Sequence, residues 1–211
     1  MTGEETYLTF VDAARRSQGD ALDIHLFASV LAMAAADAAQ SGSPLGETCG
    51  LTVRERAGLA AHLFPDLRAG DALAGVDYLA GPDPAPDTEE QYVRDILLIY
   101  ASGTSALERP MAALIARRAR APHHLWQDLG LRNRDELSVL MQRYYGPLKR
   151  RNVQDMKWKK FLYRMVCGAE GFSLCTTPVC SECDDFAVCF GEETGEARLA
   201  VARLQSEARA T

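Results

Sequence analysis

The chain has 211 residues, 47% hydrophobic and 25% charged, enough for one domain with a real core and too few for two comfortable ones. That balance excludes disorder across the whole length, and a formal net charge of −6 argues against a general nucleic-acid binder. The acidic opening Met1-Thr2-Gly3-Glu4-Glu5 carries no signal-peptide pattern, and the longest apolar run, Leu26 to Ala36, falls short of the ~20 residues of a membrane span, so a cytoplasmic protein without a membrane partner is expected.

Asp20 to Gln40 reads as a long core helix, with Leu22, Leu26, Phe27, Val30, Leu31, Met33 and Ala34 at three- and four-residue intervals and Ser41-Gly42-Ser43-Pro44 as its stop. His25 lies on or beside its apolar stripe, where a structural histidine and a metal ligand or proton-handling group are both readable. Cys49 follows in a Gly-rich connection and reads as a small buried residue. Thr52 and Glu55 have the spacing of a capping box for a short helix over Val53 to Phe64, and Pro65 ends it. Ala69 to Leu79 offers a further short helical stretch. The prolines at 82, 84 and 86 then forbid helix or sheet over Gly81 to Asp87, leaving a mobile surface loop or a rigid connector.

Glu89 to Ala101 and Ser105 to Arg120 repeat the helical period, which implies an antiparallel pair; Arg117, Arg118 and Arg120 suit the C-terminal end of the second helix dipole. His123 and His124 are adjacent, so at most one serves a shared site, and a polar turn is the plainer account of them. Asn133-Arg134-Asp135-Glu136 opens a helix to Tyr145, stopped by Gly146-Pro147.

From Arg143 to Arg164 eight cations face one acid, Asp155, a net +7 in a chain of total −6, so the remainder carries −13. Such segregation suits either a solvated helix face or the handling of an anion or acidic partner by Lys157, Lys159, Lys160 and Arg164. Trp158, Phe161, Leu162, Met165 and Val166 form the apolar face of a helix over Met156 to Val166. Cys167 sits in its last turn, as a packing residue or a spare ligand. Glu192 to Ala208 reads as a final amphipathic helix, and no convincing strand or internal repeat is found.

Between these helices Cys175, Cys180, Cys183 and Cys189 stand at intervals of four, two and five intervening residues. Four thiolates so close can converge with little loop-closure entropy, and the first three follow the C-x4-C-x2-C run of plant-type ferredoxins. Zinc accepts the same donors, although its structural sites usually pair two C-x2-C knuckles, and disulfides would need an oxidising compartment. An iron–sulfur cluster, zinc and plain cysteines therefore remain open on spacing alone. The expected architecture is all-α: a single helical bundle spanning 1–211, with residues 175–189 as an irregular metal-binding loop.

Met156-Lys157-Trp158-Lys159-Lys160-Phe161-Leu162-Tyr163-Arg164, the cysteine spacing, and Cys183-Asp184-Asp185-Phe186-Ala187-Val188-Cys189-Phe190-Gly191 together resemble the NifQ family of nitrogenase maturation proteins. His124-Leu125-Trp126-Gln127-Asp128-Leu129-Gly130-Leu131 and Asp23-Ile24-His25-Leu26-Phe27-Ala28-Ser29 are similar to that family too. The resemblance implies a molybdenum carrier, not an enzyme, holding a 3Fe-4S or 4Fe-4S type iron–sulfur cluster on Cys175, Cys180, Cys183 and Cys189. It takes molybdate or a thiolated molybdenum species and passes molybdenum to the nitrogenase cofactor scaffold complex acting with dinitrogenase reductase. His25, His123, His124 and Cys167 are further candidates for contacting metal. An iron–sulfur regulator that binds DNA through the +7 segment, a structural zinc module and an electron carrier are the competing expectations; the −13 remainder weighs against the first.

Overall fold

The computed structural model describes residues 2–68, 71–169 and 198. The expected all-α architecture holds for them: in chain order they form α1 (Gly3–Ala13), α2 (Ala21–Ser41), α3 (Leu45–Cys49), α4 (Val53–Leu63), β1 (Ala72–Leu73), β2 (Val76–Asp77), α5 (Thr88–Ile99), α6 (Glu108–Ala119), α7 (Leu125–Asp128), α8 (Arg134–Arg151) and α9 (Trp158–Ala169). The cysteine segment 175–189 and the helix expected over Glu192 to Ala208 lie outside the described residues, Arg198 excepted.

The core is built around α2. Its Leu26, Phe27, Val30, Leu31, Ala34 and Ala35 are fully buried, and the small residues among them let neighbouring helices approach closely. Each buried large side chain contributes about 1.5–3 kcal/mol. By length and composition α2 would pass for a membrane span, but 67% of its most apolar window is buried inside this protein. Asp20 starts the helix by accepting from Asp23 N at 2.8 Å, and Gly42, at φ 70°, ends it in the left-handed conformation that glycine adopts freely. Leu137, Leu140, Met141 and Tyr144 of α8 extend the core, which Trp158, Phe161 and Leu162 of α9 close.

The capping box at Thr52 and Glu55 forms as the sequence predicts, opening α4. The same Thr-x-x-Glu pattern at Thr2 and Glu5 opens α1, a helix that was not anticipated. Two expectations are corrected. Ala69 to Leu79 does not carry a helix: β1 and β2 pair antiparallel, Ala72 opposite Asp77 and Leu73 opposite Val76, around Ala74 and Gly75, both with positive φ. That is the backbone signature of a two-residue hairpin turn, which a helix cannot accommodate. Nor do Gly146 and Pro147 stop α8, which kinks at Tyr145 (φ −133°, ψ 44°) and continues to Arg151. Proline breaks the ladder, and the loop before α6 repairs it: Ser102 N donates to Tyr144 O at 2.9 Å and Gly146 N donates to Ser102 Oγ at 3.1 Å.

The Pro-rich stretch is a connector, not a free loop. Asp83 Oδ1 accepts from Val53 N at 2.7 Å at the start of α4, and Pro82 O lies so close to Gly46 that a Cβ there would meet it at 2.9 Å.

Candidate functional site

Among the described residues a dense polar arrangement is centred on Asp128, at the end of α7 and fully buried. Its carboxylate takes four hydrogen bonds. Oδ1 faces His123 Nδ1 and Arg198 Nη1, both at 3.1 Å, and Oδ2 accepts from His123 N at 3.1 Å and Lys159 Nζ at 2.5 Å. Four donors fill the roughly four lone-pair positions of an ionised carboxylate, so the buried charge is satisfied. The backbone carbonyl of Asp128 accepts from Arg118 Nε at 2.7 Å.

Arg118 and Arg198 extend the network to α2: Arg118 Nη2 lies 2.5 Å from Asp37 Oδ2, and Arg198 Nη2 lies 2.6 Å from Asp37 Oδ1. Asp37, Arg118, Asp128, Lys159 and Arg198 thus tie α2, α6, α7 and α9 to a residue beyond the cysteines. Lys159 also donates to the Ala121 carbonyl. Burial pulls its ammonium below the ordinary lysine value, Asp128 opposes that shift, and Arg118 and Arg198 add to it.

The sequence-predicted residues divide accordingly. His123, its side chain 47% exposed, joins the Asp128 network. His124 instead starts α7, its backbone N donating to Gln127 Oε1 at 3.2 Å. His25 belongs to a separate cluster, with Nδ1 2.9 Å from Tyr7 Oη and Nε2 2.8 Å from Glu136 Oε1. Both ring nitrogens are engaged, the arrangement of a structural histidine joining α1, α2 and α8. Burial would raise the Glu136 carboxyl, but hydrogen bonds from His25 and Arg132 outweigh it and hold the group down at about 2. The side chain of Cys167, and all of Cys175, Cys180, Cys183 and Cys189, lie outside the described residues.

The cationic stretch is less available than its sequence implies. Lys159 points inward, and Arg143 pairs with Asp23, Nε to Oδ1 at 2.6 Å and Nη2 to Oδ2 at 2.7 Å, as well as with Asp20. Arg151 stacks over Tyr100, its guanidinium 4.7 Å from the ring centroid. Lys160 and Arg164 are exposed and Lys157 half-buried. Arg164 helps line a groove of about 550 Å³ with Ile99, Val153, Phe161 and Met165.

Asp128, Asp37 and Arg198 were not anticipated. The available signal was an acid amid Leu125, Trp126, Leu129 and Leu131, since a carboxylate in such company must find partners. Among the described residues no group of three or more His, Cys, Asp and Glu side chains is placed to hold a metal. The cysteine quartet, outside the described residues, has a donor chemistry that fits an iron–sulfur group: four soft thiols within fifteen residues.

The family model described as NifQ matches residues 26–191. The chain is 33% identical to Protein NifQ of Rhodobacter capsulatus over 187 residues, 88% of this chain and 99% of that relative. It is 35% identical to Protein NifQ of Azotobacter vinelandii over 153 residues, 68% of this chain and 77% of the other. With the Protein NifQ homolog of Sinorhizobium fredii (strain NBRC 101917 / NGR234) the identity is 42% over 126 residues, 60% of this chain and 55% of that relative's length. No solved structure matches.

Proposed function

The chain belongs to the NifQ family of nitrogen-fixation proteins, and on that premise we propose that it is a carrier of molybdenum for assembly of the nitrogenase iron–molybdenum cofactor. The observation that carries this reading is the quartet Cys175, Cys180, Cys183 and Cys189, which falls inside the family match and follows α9, a helix locked into the core. These four residues would hold an iron–sulfur cluster, of 3Fe-4S or 4Fe-4S type. Such a cluster supplies sulfide, a soft donor to which reduced or thiolated molybdenum binds and from which it can leave.

The chain's own contribution is positional. Trp158, Phe161, Leu162 and Val166 bury one face of α9. Lys159 then fixes the helix to Asp128, and Arg198 fixes the returning chain to the same carboxylate. A metal held between these two anchors would be presented reproducibly to a partner. The exposed Lys160 and Arg164, with Lys157 beside them, would draw molybdate or an acidic surface of the cofactor scaffold complex. Delivery would occur to that complex acting with dinitrogenase reductase, in the cytoplasm, where the thiols stay reduced.

The test is transfer. Molybdenum-loaded protein is mixed anaerobically with the scaffold complex and dinitrogenase reductase in the absence of molybdate, and cofactor formation is followed by activation of apo-dinitrogenase. The reading requires activation by the loaded protein and none by the same chain with all four cysteines replaced by serine. Equal activation by both would refute it.

A further inference from the structure

Between α8 and α9 the chain passes through a turn that carries Val153, 85% exposed. Ile99, the last residue of α5, is 71% exposed. No other large hydrophobic side chain among the described residues is as exposed as these two, and both line the groove of about 550 Å³ to which Arg164 contributes. We propose that this groove is a docking site for an acidic amphipathic helix of a protein partner. No cysteine and no metal takes part, so the inference stands apart from the carrier reading.

The first support is the form of the apolar surface. Ile96, Met156 and Phe161 are buried and give the groove an apolar floor, while Ile99 and Val153 lie open to solvent. A small-molecule site encloses most of its ligand, so its apolar side chains lie inside the pocket. Exposed apolar side chains beside an apolar floor suit a partner that brings a broad apolar face of its own.

The second support is order. The turn carrying Val153 is closed by a reciprocal pair, Asn152 Nδ2 donating to Met156 O at 2.8 Å and Met156 N donating to Asn152 Oδ1 at 2.9 Å. Asp155 N donates to Asn152 O at 3.1 Å, and Arg134 Nη2 donates to Asp155 O at 2.7 Å. These bonds hold Asp155 at φ 52°, a left-handed conformation that costs energy in any residue but glycine. The exposure of Val153 is thus set by a hydrogen-bonded turn, and the groove is formed before a partner arrives.

The third support is charge. Arg151 and Arg164 line the groove, and no Asp or Glu does. The Arg151 guanidinium is fixed there by stacking over Tyr100, 4.7 Å from the ring centroid. The nearest carboxylates in sequence are engaged elsewhere, Asp95 accepting from Gln91 Nε2 at 2.8 Å and Asp155 pairing with Arg134 at 3.1 Å. In a chain of net charge −6, a wall with two cations and no acid selects an acidic partner. The groove is walled by α5, α9 and the turn after α8, and no strand edge borders it. A partner gains no backbone ladder here, so it must bring its own backbone hydrogen bonds already made, as a helix does.

The experiment uses the full chain and two synthetic peptides of about 18 residues, each with leucines at i, i+3, i+4 and i+7 and either glutamates or lysines on the flanks. Binding is read by fluorescence anisotropy at low and high salt, with thermal unfolding and sedimentation velocity on every variant. The Glu peptide is expected to bind ~10-fold more tightly than the Lys peptide, a preference that shrinks as salt rises. Ile99→Ser with Val153→Ser is expected to weaken the Glu peptide ~10-fold and leave unfolding nearly unchanged, because both side chains already face water. Arg151→Glu with Arg164→Glu is expected to turn the preference toward the Lys peptide. Equal binding of the two peptides, binding of neither, or wild-type affinity in the Ile99→Ser, Val153→Ser variant would overturn the inference. So would self-association of the wild-type chain that this variant abolishes, since the occupant would then be a second copy.

Discussion

Lys159 donates to Asp128 Oδ2 at 2.5 Å, and the carboxylate it meets has no solvent exposure. One bond thereby fixes α9, the last helix before the cysteines, to the end of α7.

Removing the carboxylate should therefore be costly. Asp128→Ala leaves Lys159 and Arg198 without their shared acceptor, and breaking a buried pair from one side costs about 3–5 kcal/mol. Urea unfolding should show a loss of that size, and a loss below about 1 kcal/mol would mean that water replaces the carboxylate readily.

Glu136 predicts an acid-sensitive contribution at the other end of the molecule. Its folded value, about 2, lies below the ordinary 4.5, so the stability it confers is fully present above pH 4.5 and is lost as the pH falls toward 2. The side chain is 9% exposed and held by His25 and Arg132. Allowing for solvent screening, the contribution is about 1–3 kcal/mol at pH 7. Glu136→Gln should lower stability by that amount at pH 7 and flatten its decline between pH 4.5 and 2. Parallel curves for the two proteins would show that Glu136 titrates alike folded and unfolded.

The exposed and buried lysines of α9 and its approach should separate experimentally. Lys157→Glu with Lys160→Glu should slow molybdenum transfer several-fold at low ionic strength, with the difference shrinking as salt screens it, and leave unfolding nearly unchanged. Lys159→Met should instead destabilise the fold. Identical salt dependence of transfer in wild type and the double variant would remove docking from the role of these residues.

At the α8 kink, Ser102→Ala removes the acceptor for Gly146 N, and the unpaired amide should cost about 1–2 kcal/mol in chemical denaturation. No change would mean that the kinked backbone finds another partner.

Much of this arrangement was legible in the sequence where the signal was local. The apolar period of α2, the Thr52–Glu55 box and the Asn133 cap each act within a few residues, and the helices begin where those residues say. The hairpin at 72–77 was not, because two-residue strands leave almost no alternation to read and the turn uses Ala74 at φ 54°, a conformation a non-glycine sequence does not advertise. Lys159 reads as part of a cationic face because its partner is 31 residues away and the burial of a lysine depends wholly on that partner. The cysteine motif was legible as chemistry, since ligand type and spacing are written in the chain; the convergence of Lys159 and Arg198 on Asp128 is a tertiary fact.

The most direct measurement is the metal content of the chain purified without oxygen from cells fixing nitrogen, by elemental analysis for iron, molybdenum and zinc with acid-labile sulfide. The account predicts iron and sulfide in cluster proportions with molybdenum bound, and loss of all three when Cys175, Cys180, Cys183 and Cys189 are replaced by serine. A colourless protein with one zinc per chain and no sulfide would contradict it.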